Sequence, residues 1–542
     1  MSFAADLLAR KPLSALIEES RETGTHSLKR SLGIVQLTAL GVGAVLGAGI
    51  FVVAGMGAHY AGPAVILSFV LSGLGCALAG LCYAEFAATI PLAGSAYTYA
   101  YASLGEIFAW IVGWDLTLEY AMAASAVSSG WSNYFVEFIG IFHLKMPLWL
   151  AYDHATAVRA AEAVVARRMA QSSDGLPVAG SVAFSEKALA IANAHSPELI
   201  RRAHALLDAP RIFGVEIGFN LPALAIALAV TAILVTGIRK SAQFNVVFAA
   251  VKVAVILFVV GFGIAYIDSA NWGSDWSTFA PFGFAGIGAG AAYVFFAYIG
   301  FDAVCTTAQE AIHPQRDLPI AIVASLLICT VFYIAVAAVL TGMTPWREIN
   351  IEAPIARAFL DRGLIVPSQV ITAGALAGLT SVMLVTILGQ TRILYSMAND
   401  GLLPKRFFAE IHPRFRTPWK NTILVGMVAA VVGSTTPIYE IGRMVNIGTL
   451  LAFVTVCIAL PVLRRTEPAL PRPFRTPWVP LIPILGVVSN GYLMCRLGWL
   501  NWARLIVWLA IGLAVYFMYG RKHSRIRIQP SGAIPAAGVT TT

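Results

Sequence analysis

Long apolar runs separated by short polar breaks recur along almost the whole chain. A bilayer core about 30 Å thick is crossed by about 20 apolar residues at 1.5 Å rise each. About twelve windows meet that criterion. They begin near Gly33, Pro63, Ile107, Ile217, Phe244, Gly286, Leu318, Val370, Thr422, Ile438, Leu481 and Leu505. In hydrocarbon the backbone polar groups must be satisfied inside the segment, as a helix does. The pattern therefore predicts an all-α polytopic membrane protein with about 12 transmembrane helices.

Two of these runs are punctuated by glycine. Within GVGAVLGAGIF, Gly41 to Phe51, four glycines fall in nine positions, at Gly41, Gly43, Gly47 and Gly49. Each weakens a helix by roughly 1 kcal/mol relative to alanine. Unpaired backbone at membrane depth is tolerated only where it lines a cavity or meets a ligand, so a break here is a site hypothesis. The alternative is a small-residue packing face, of which Gly43 to Gly47 is a GxxxG instance. The run GIGAGAAYVFFAYIGFDAV, Gly286 to Val304, repeats the theme with Phe295, Phe296 and Asp302 around Gly300. Two interrupted helices, each the first of five, are what an inverted repeat around a central site produces.

Between about Leu144 and Val215 the apolar pattern collapses. There AYDHATAVRAAEAVVARRMAQSSDG and SEKALAIANAHSPELIRRAHALLDAP read as short surface helices, the latter with Ser196 as N-cap and Pro197 behind it. The expected organisation is a cytoplasmic N-terminal segment over 1–32, transmembrane helices 1–3 over 33–143, an extracytoplasmic insertion over 144–215, transmembrane helices 4–12 over 216–520, and a cytoplasmic tail over 521–542. The segment through Thr25 is too polar for a signal-peptide core, so none is expected.

Composition agrees with this reading. The 542 residues are 58% hydrophobic and 12% charged, with mean hydropathy +0.76, beyond the range of soluble domains. The net charge of +9 does not point to nucleic acid. Its cations, among them Lys29, Arg30, Arg239, Lys240, Lys405, Arg406, Arg464, Arg465, Arg521 and Lys522, sit in short breaks that all fall on one side. By the positive-inside rule that side is the cytoplasm, with both termini cytoplasmic and the chain in the cell membrane. The six cysteines lie in or beside apolar spans with no CxxC spacing, so they read as small buried apolar residues. No HxxxH accompanies His154, His195 or His204, which read as exposed. Neither a metal nor a cofactor is expected.

Charges at membrane depth are costly and therefore informative. Asp115 and Glu119, four apart in the third span, share a helical face, Glu119 lying deeper. They are functional candidates or a buried polar pair that fixes packing. Lys252, amid QFNVVFAAVKVAVILFVV, is too far from either end of its span to snorkel easily. Glu85 and Arg392 lie near the cytoplasmic ends of their spans, where they read as structural or gating residues.

Together, GVGAVLGAGIF, GWDLTLEY, FFAYIGFDAV, HPQRDLPIAI, GQTRILYSMANDGLLP and NIGTLLAFVTVCIALPVLRRTEPALPRPFRTPWVP resemble the amino acid permeases of the APC superfamily, closest to the cationic amino acid transporter branch. The resemblance covers nearly the whole chain apart from the termini and the insertion. It implies a LeuT-like fold, a 5+5 inverted repeat with broken helices 1 and 6 plus two further helices, working by alternating access. By position it implies that amides around Gly47, Ala48, Gly49 and Ile50 bind a substrate carboxylate, which suits the positive end of a half-helix. It further implies that carbonyls of Val42, Gly43, Ala44 and Val45, and of Phe296, Ala297, Tyr298 and Ile299, hold the substrate ammonium. Phe296 resembles an aromatic lid, and Glu119 and Asp302 match positions near the side-chain pocket. Lys252 matches the lysine that stands where sodium-coupled relatives bind Na⁺, which implies proton coupling.

The function expected is import of amino acids with protons, the two intramembrane acids favouring arginine, lysine or ornithine. A pocket of Phe296 with small residues such as Ala123 and Ser125 would instead suit neutral side chains, and an exchanger is a further variant. A nutrient receptor and a membrane enzyme are the competing classes; the sequence offers neither a signalling domain nor a nucleophile–base pair. The partners expected are the amino acid, protons and the lipid bilayer, with a small membrane accessory subunit left open.

Overall fold

The computed structural model describes residues 7–12, 32–47, 49–90, 95–144, 146–161, 205, 209–212, 215–216, 218–237, 239–351 and 353–528. Each apolar run carries a helix. The first run is split into α1 (Ile34–Val45), a wide five-residue turn over Gly49–Val53 and α2 (Ala54–Ala61). Then come α3 (Val65–Thr89), a short α4 (Ser95–Ser103) and α5 (Glu106–Ile141). At 36 residues, α5 is longer than the roughly 20 needed to span a bilayer, so it projects beyond the apolar layer.

After the insertion, a two-stranded antiparallel hairpin, β1 (Arg211–Ile212) and β2 (Val215–Glu216), leads into α6 (Leu221–Thr236). This helix starts a few residues later than the apolar pattern suggests because Asn220 caps it, its side-chain oxygen accepting from the Ala223 amide at 3.1 Å. Next is α7 (Arg239–Gly263). The second broken run comprises α8 (Gly283–Val294), a tight turn over Phe295–Tyr298 and a single turn α9 (Ala303–Thr306). The remaining α-helices of seven residues or more are α10 (Pro314–Met343), a short α11 (Pro354–Leu360), α12 (Ile365–Asn399), α13 (Trp419–Thr435), α14 (Ile438–Thr466), α15 (Leu481–Arg496) and α16 (Trp499–Val515).

Seven helical stretches among the described residues are long and apolar enough to cross a membrane, with α6 and α15 as shorter apolar companions. The first of the seven, Ile34–Thr89, contains α1, α2 and α3. The broken helices stand inside the bundle: α1 packs on α10 and α7, α8 on α2 and α3, and α5 on α12, α13 and α14. Ile506 and Val507 on α16 face outward at 62% and 60% exposure, as lipid-facing residues do.

Both ends of the bundle are closed by polar contacts. At one end lie both described chain termini: Lys11 Nζ donates to Asp400 at 3.2 Å, and the Arg525 amide donates to the Asp400 carbonyl at 3.0 Å. Here the buried Glu85 receives Arg464 Nε at 2.9 Å, Arg464 Nη2 at 2.6 Å and the Thr476 amide at 2.7 Å, which fastens the proline-rich link to α3. Arg392 lies 3.6 Å from Glu310 at the same end. At the opposite end Arg357 donates to Glu137 at 2.7 Å. Of the cysteines, Cys495 departs from the expected burial and is exposed, because the last turn of α15 lies at the edge of the bundle. Ser196, His195 and His204 lie outside the described residues.

Candidate functional site

A broken helix leaves carbonyls at its C-terminal end without amide partners, and buried carbonyls must be satisfied. In α1 the Val42 carbonyl accepts from the Leu46 amide at 2.8 Å. The Gly43 carbonyl accepts from Lys252 Nζ at 2.6 Å, and the Val45 carbonyl from the Tyr333 hydroxyl at 2.8 Å. The second break is capped in the same manner. Asn446 Nδ2 donates to the carbonyls of Ala292 at 2.8 Å and Tyr293 at 3.0 Å, and the Tyr333 hydroxyl also lies 2.5 Å from the Ala297 carbonyl, its single proton serving one of the two breaks at a time. Three polar side chains from α7, α10 and α14 thus stabilise backbone that apolar residues would leave unpaired.

The two breaks interlock through their glycines. A Cβ on Gly49 would collide with Cα and Cβ of Ala297, and one on Gly300, whose φ is 114°, would lie 3.0 Å from the Ala44 carbonyl oxygen. Only glycine permits both approaches, and at Gly300 also the left-handed backbone. The Gly47 carbonyl turns back to accept from the amides of Ile50 at 3.2 Å and Phe51 at 3.1 Å, so in this closed form the Ile50 amide is engaged within the turn. Ala48 lies outside the described residues.

Where the breaks meet α5 and α12 there is a small cavity of about 30 Å³. Ala44, Val45 and Gly49 of the first break line it, with Phe296 and Ile299 of the second and Glu119 of α5. The other sequence candidates stand behind this wall. Val42 and Gly43 lie deeper in α1, Gly47 just before the turn that follows it, Ile50 in that turn, and Ala297 and Tyr298 in the second turn. Tyr298 directs its hydroxyl away, to the Phe69 carbonyl at 2.8 Å. Lys252 is fully buried, and among the described residues its hydrogen bond goes to the Gly43 carbonyl.

The two acids differ. Glu119 is 1% exposed, and its Oε2 has no hydrogen-bond partner among the described residues. Asp302 does not line the cavity; its Oδ2 accepts from Tyr120 at 3.0 Å and Ser95 at 3.2 Å. Asp115, one turn from Glu119, is buried against Gly448, its oxygens without a hydrogen-bond partner among the described residues. Of the small residues named from the sequence, Ala123 lines the cavity and Ser125 does not, its hydroxyl donating to the Ala121 carbonyl at 2.8 Å.

Sequence reasoning missed Tyr120, Val127, Val382, Val385 and Thr386 in the wall. The α12 residues carry no charge or glycine signal, and only packing brings them to the cavity. Asn446 and Tyr333 were also missed, although a lone asparagine in NIGTLLAF was a legible sign of buried hydrogen bonding. Towards the face opposite the termini, Tyr60 and Tyr439 share a hydroxyl bond of 2.9 Å and both rings pack on Tyr293, joining α2, α8 and α14.

The model of one family, amino acid permease, matches residues 32–520. The chain is 40% identical to the methylthioribose transporter of Bacillus subtilis over 521 residues, covering 96% of this chain and 99% of that protein. It is 39% identical to the branched-chain amino acid permease BcaP of the same organism over 506 residues, covering 93% and 96%. Cationic amino acid transporter 4 of Arabidopsis thaliana, a vacuolar protein, is 30% identical over 635 residues, with 96% of each chain covered. The paired helix breaks, the cavity between them and these relationships together make the chain a polytopic helical membrane transporter of the amino acid permease family, within the APC superfamily, and not an enzyme.

Proposed function

We propose that this permease imports amino acids across the cell membrane by alternating access, with protons as the coupling ion and both termini in the cytoplasm. The observation that carries this reading is the cavity at the two breaks, with Glu119 among the residues that line it. Its volume of about 30 Å³ accommodates about two waters, so a substrate enters only when the helices part. The glycine-rich first break supplies the carboxylate end, while Phe296 closes over the substrate. By resemblance Lys252 matches the lysine that stands where sodium-coupled relatives bind Na⁺, and this match supports proton coupling.

The preferred side chain is aliphatic. Val127, Ile299, Val382 and Val385 surround the cavity, and a surface of this kind gains free energy by burying apolar groups. The likeness to a branched-chain amino acid permease supports the same choice. A second reading, import of arginine, lysine or ornithine, is favoured by one observation, the Glu119 oxygen that lacks a partner. A cationic head group would supply one.

Uptake of labelled leucine and labelled arginine into proteoliposomes, under imposed proton or sodium gradients, separates these possibilities. Leucine accumulation driven by an inward proton gradient is expected. Arginine taken up in preference, and displaced by lysine but not by leucine, would establish the second reading. Absence of uptake of every common amino acid would refute the proposal.

A further inference from the structure

The described part of the insertion is fastened to one side of the bundle and reaches across to another. Asp153 caps the helical turns over 154–161, its oxygens accepting from the Thr156 amide at 2.9 Å and the Thr156 hydroxyl at 2.7 Å. Ala151, Tyr152, Ala157 and Ala161 are buried in a small apolar cluster on which Val136 of α5 packs. The Phe219 amide donates to the Trp149 carbonyl at 2.8 Å, which ties the same segment to the entry of α6. From this base Arg159 extends to Glu440, in the first turn of α14, at 3.1 Å. A cavity of about 230 Å³ lies between, lined by Thr156, Arg159 and Ala160 on one side and by Met56 of α2 and Tyr439 of α14 on the other. The segment therefore spans a gap at the face opposite the chain termini, and Arg159 crosses it.

The contacts made by this end of α14 are unequal. Asn446, fully buried, donates to the carbonyls of Ala292 and Tyr293 at the second break, and Tyr439 bonds to Tyr60 with both rings on Tyr293. Pulling Asn446 away strands buried polar groups, which is costly. Arg159 is 53% exposed, so water replaces Glu440 around its guanidinium when the two separate. Arg504 of α16 lies 3.0 Å from the other carboxylate oxygen, so Glu440 keeps a cation as well. An exposed pair of this kind shifts an equilibrium by about 1.5- to 5-fold. Of these contacts Arg159 to Glu440 is the one that yields most easily.

We propose that this segment is a strap over the outer end of the transporter: it holds the end of α14 toward α5 through Arg159 and Glu440, and the central cavity opens to this face when that pair parts. The assignment rests on the alternating-access reading, and not on the substrate, the coupling ion or the direction of transport. Salt screens an exposed ion pair, so the strap makes opening at this face sensitive to the electrolyte on the insertion side.

Opening is read by the rate at which a membrane-impermeant maleimide labels Ala123→Cys in the central wall, in sealed vesicles of the full chain with the insertion outside and the exposed Cys495 replaced by serine. Arg159→Gln should raise that rate about two- to fivefold. Raising the salt from about 0.02 to 0.5 M should speed labelling when Arg159 is present and have less effect in Arg159→Gln. In a second measurement, Arg159→Cys and Glu440→Cys in the chain with native Ala123, joined by a short bismaleimide, should stop exchange of labelled leucine and labelled arginine that the unjoined pair supports. Labelling unchanged by Arg159→Gln, failure of the two cysteines to join, or exchange undiminished once they are joined overturns the strap. Absence of exchange by the unjoined protein counts against the import reading alone, since the labelling rate still tests the strap.

Discussion

The ammonium of Lys252 is bonded to the carbonyl of Gly43, 2.6 Å away, at the point where the first transmembrane helix breaks. That carbonyl belongs to the last turn of α1, where unpaired oxygens concentrate the negative end of the helix dipole. A buried cation placed there both caps the half-helix and completes the wall behind the cavity. Removing it leaves a buried acceptor unsatisfied, at a cost of about 1–3 kcal/mol.

Replacement of Lys252 by methionine, which keeps the volume and discards the charge, should abolish proton-driven accumulation. Exchange of external for internal substrate at symmetric pH should persist, because the cavity itself is untouched. The check is uptake by proteoliposomes with and without an inward proton gradient. If sodium drives uptake by the wild type at symmetric pH, the coupling role assigned to Lys252 is wrong.

Gly49 and Gly300 hold the two breaks in contact. Because a Cβ at residue 49 runs into the Ala297 backbone, Gly49→Val should spread the two half-helices instead of projecting into the substrate space. Gly300→Ala should act similarly, with added strain of about 1 kcal/mol or more from its left-handed backbone. Both variants should insert normally and lose transport. Retention of wild-type KM and kcat by either would refute the interlock.

Glu119 decides between the two readings of specificity. If the substrate is cationic, Glu119→Gln should weaken arginine binding by roughly 1.5–3 kcal/mol, the worth of a charge-assisted hydrogen bond. If it is aliphatic, the substitution should change leucine affinity by less than about 0.5 kcal/mol. Competition binding with the purified variant distinguishes the two.

The C-terminal segment is part of the closed end. Glu106 is fully buried and accepts from Tyr516 at 2.7 Å and Tyr101 at 3.1 Å, with Ser524 also bonded and Arg527 at 3.0 Å. Breaking a fully buried ion pair costs about 3–5 kcal/mol; with Arg527 at 17% exposure, Arg527→Ala should cost about 1–3 kcal/mol. The thermal midpoint should fall, and Glu106→Gln in the same chain should recover part of the loss. Equal midpoints for wild type and Arg527→Ala would show that the tail contributes nothing to closure.

Much of this architecture was legible from residue type and spacing alone. Apolar length dictates the helices, and glycine density places both breaks, because these are local properties of a chain in hydrocarbon. A lone Lys252, and Glu119 beside Asp115, in apolar spans were conspicuous for the same reason. What local pattern does not contain is which buried group answers which. Tertiary packing alone joins Tyr333 to both breaks, sets Asn446 over the end of α8 and turns Val382, Val385 and Thr386 toward the cavity. Packing also separates the acids, giving Asp302 the hydroxyls of Tyr120 and Ser95 and leaving Glu119 with an unpartnered oxygen. The physical reason is that a buried polar group must find its partner wherever the fold brings one, and in a bundle of crossing helices that partner is usually hundreds of residues away.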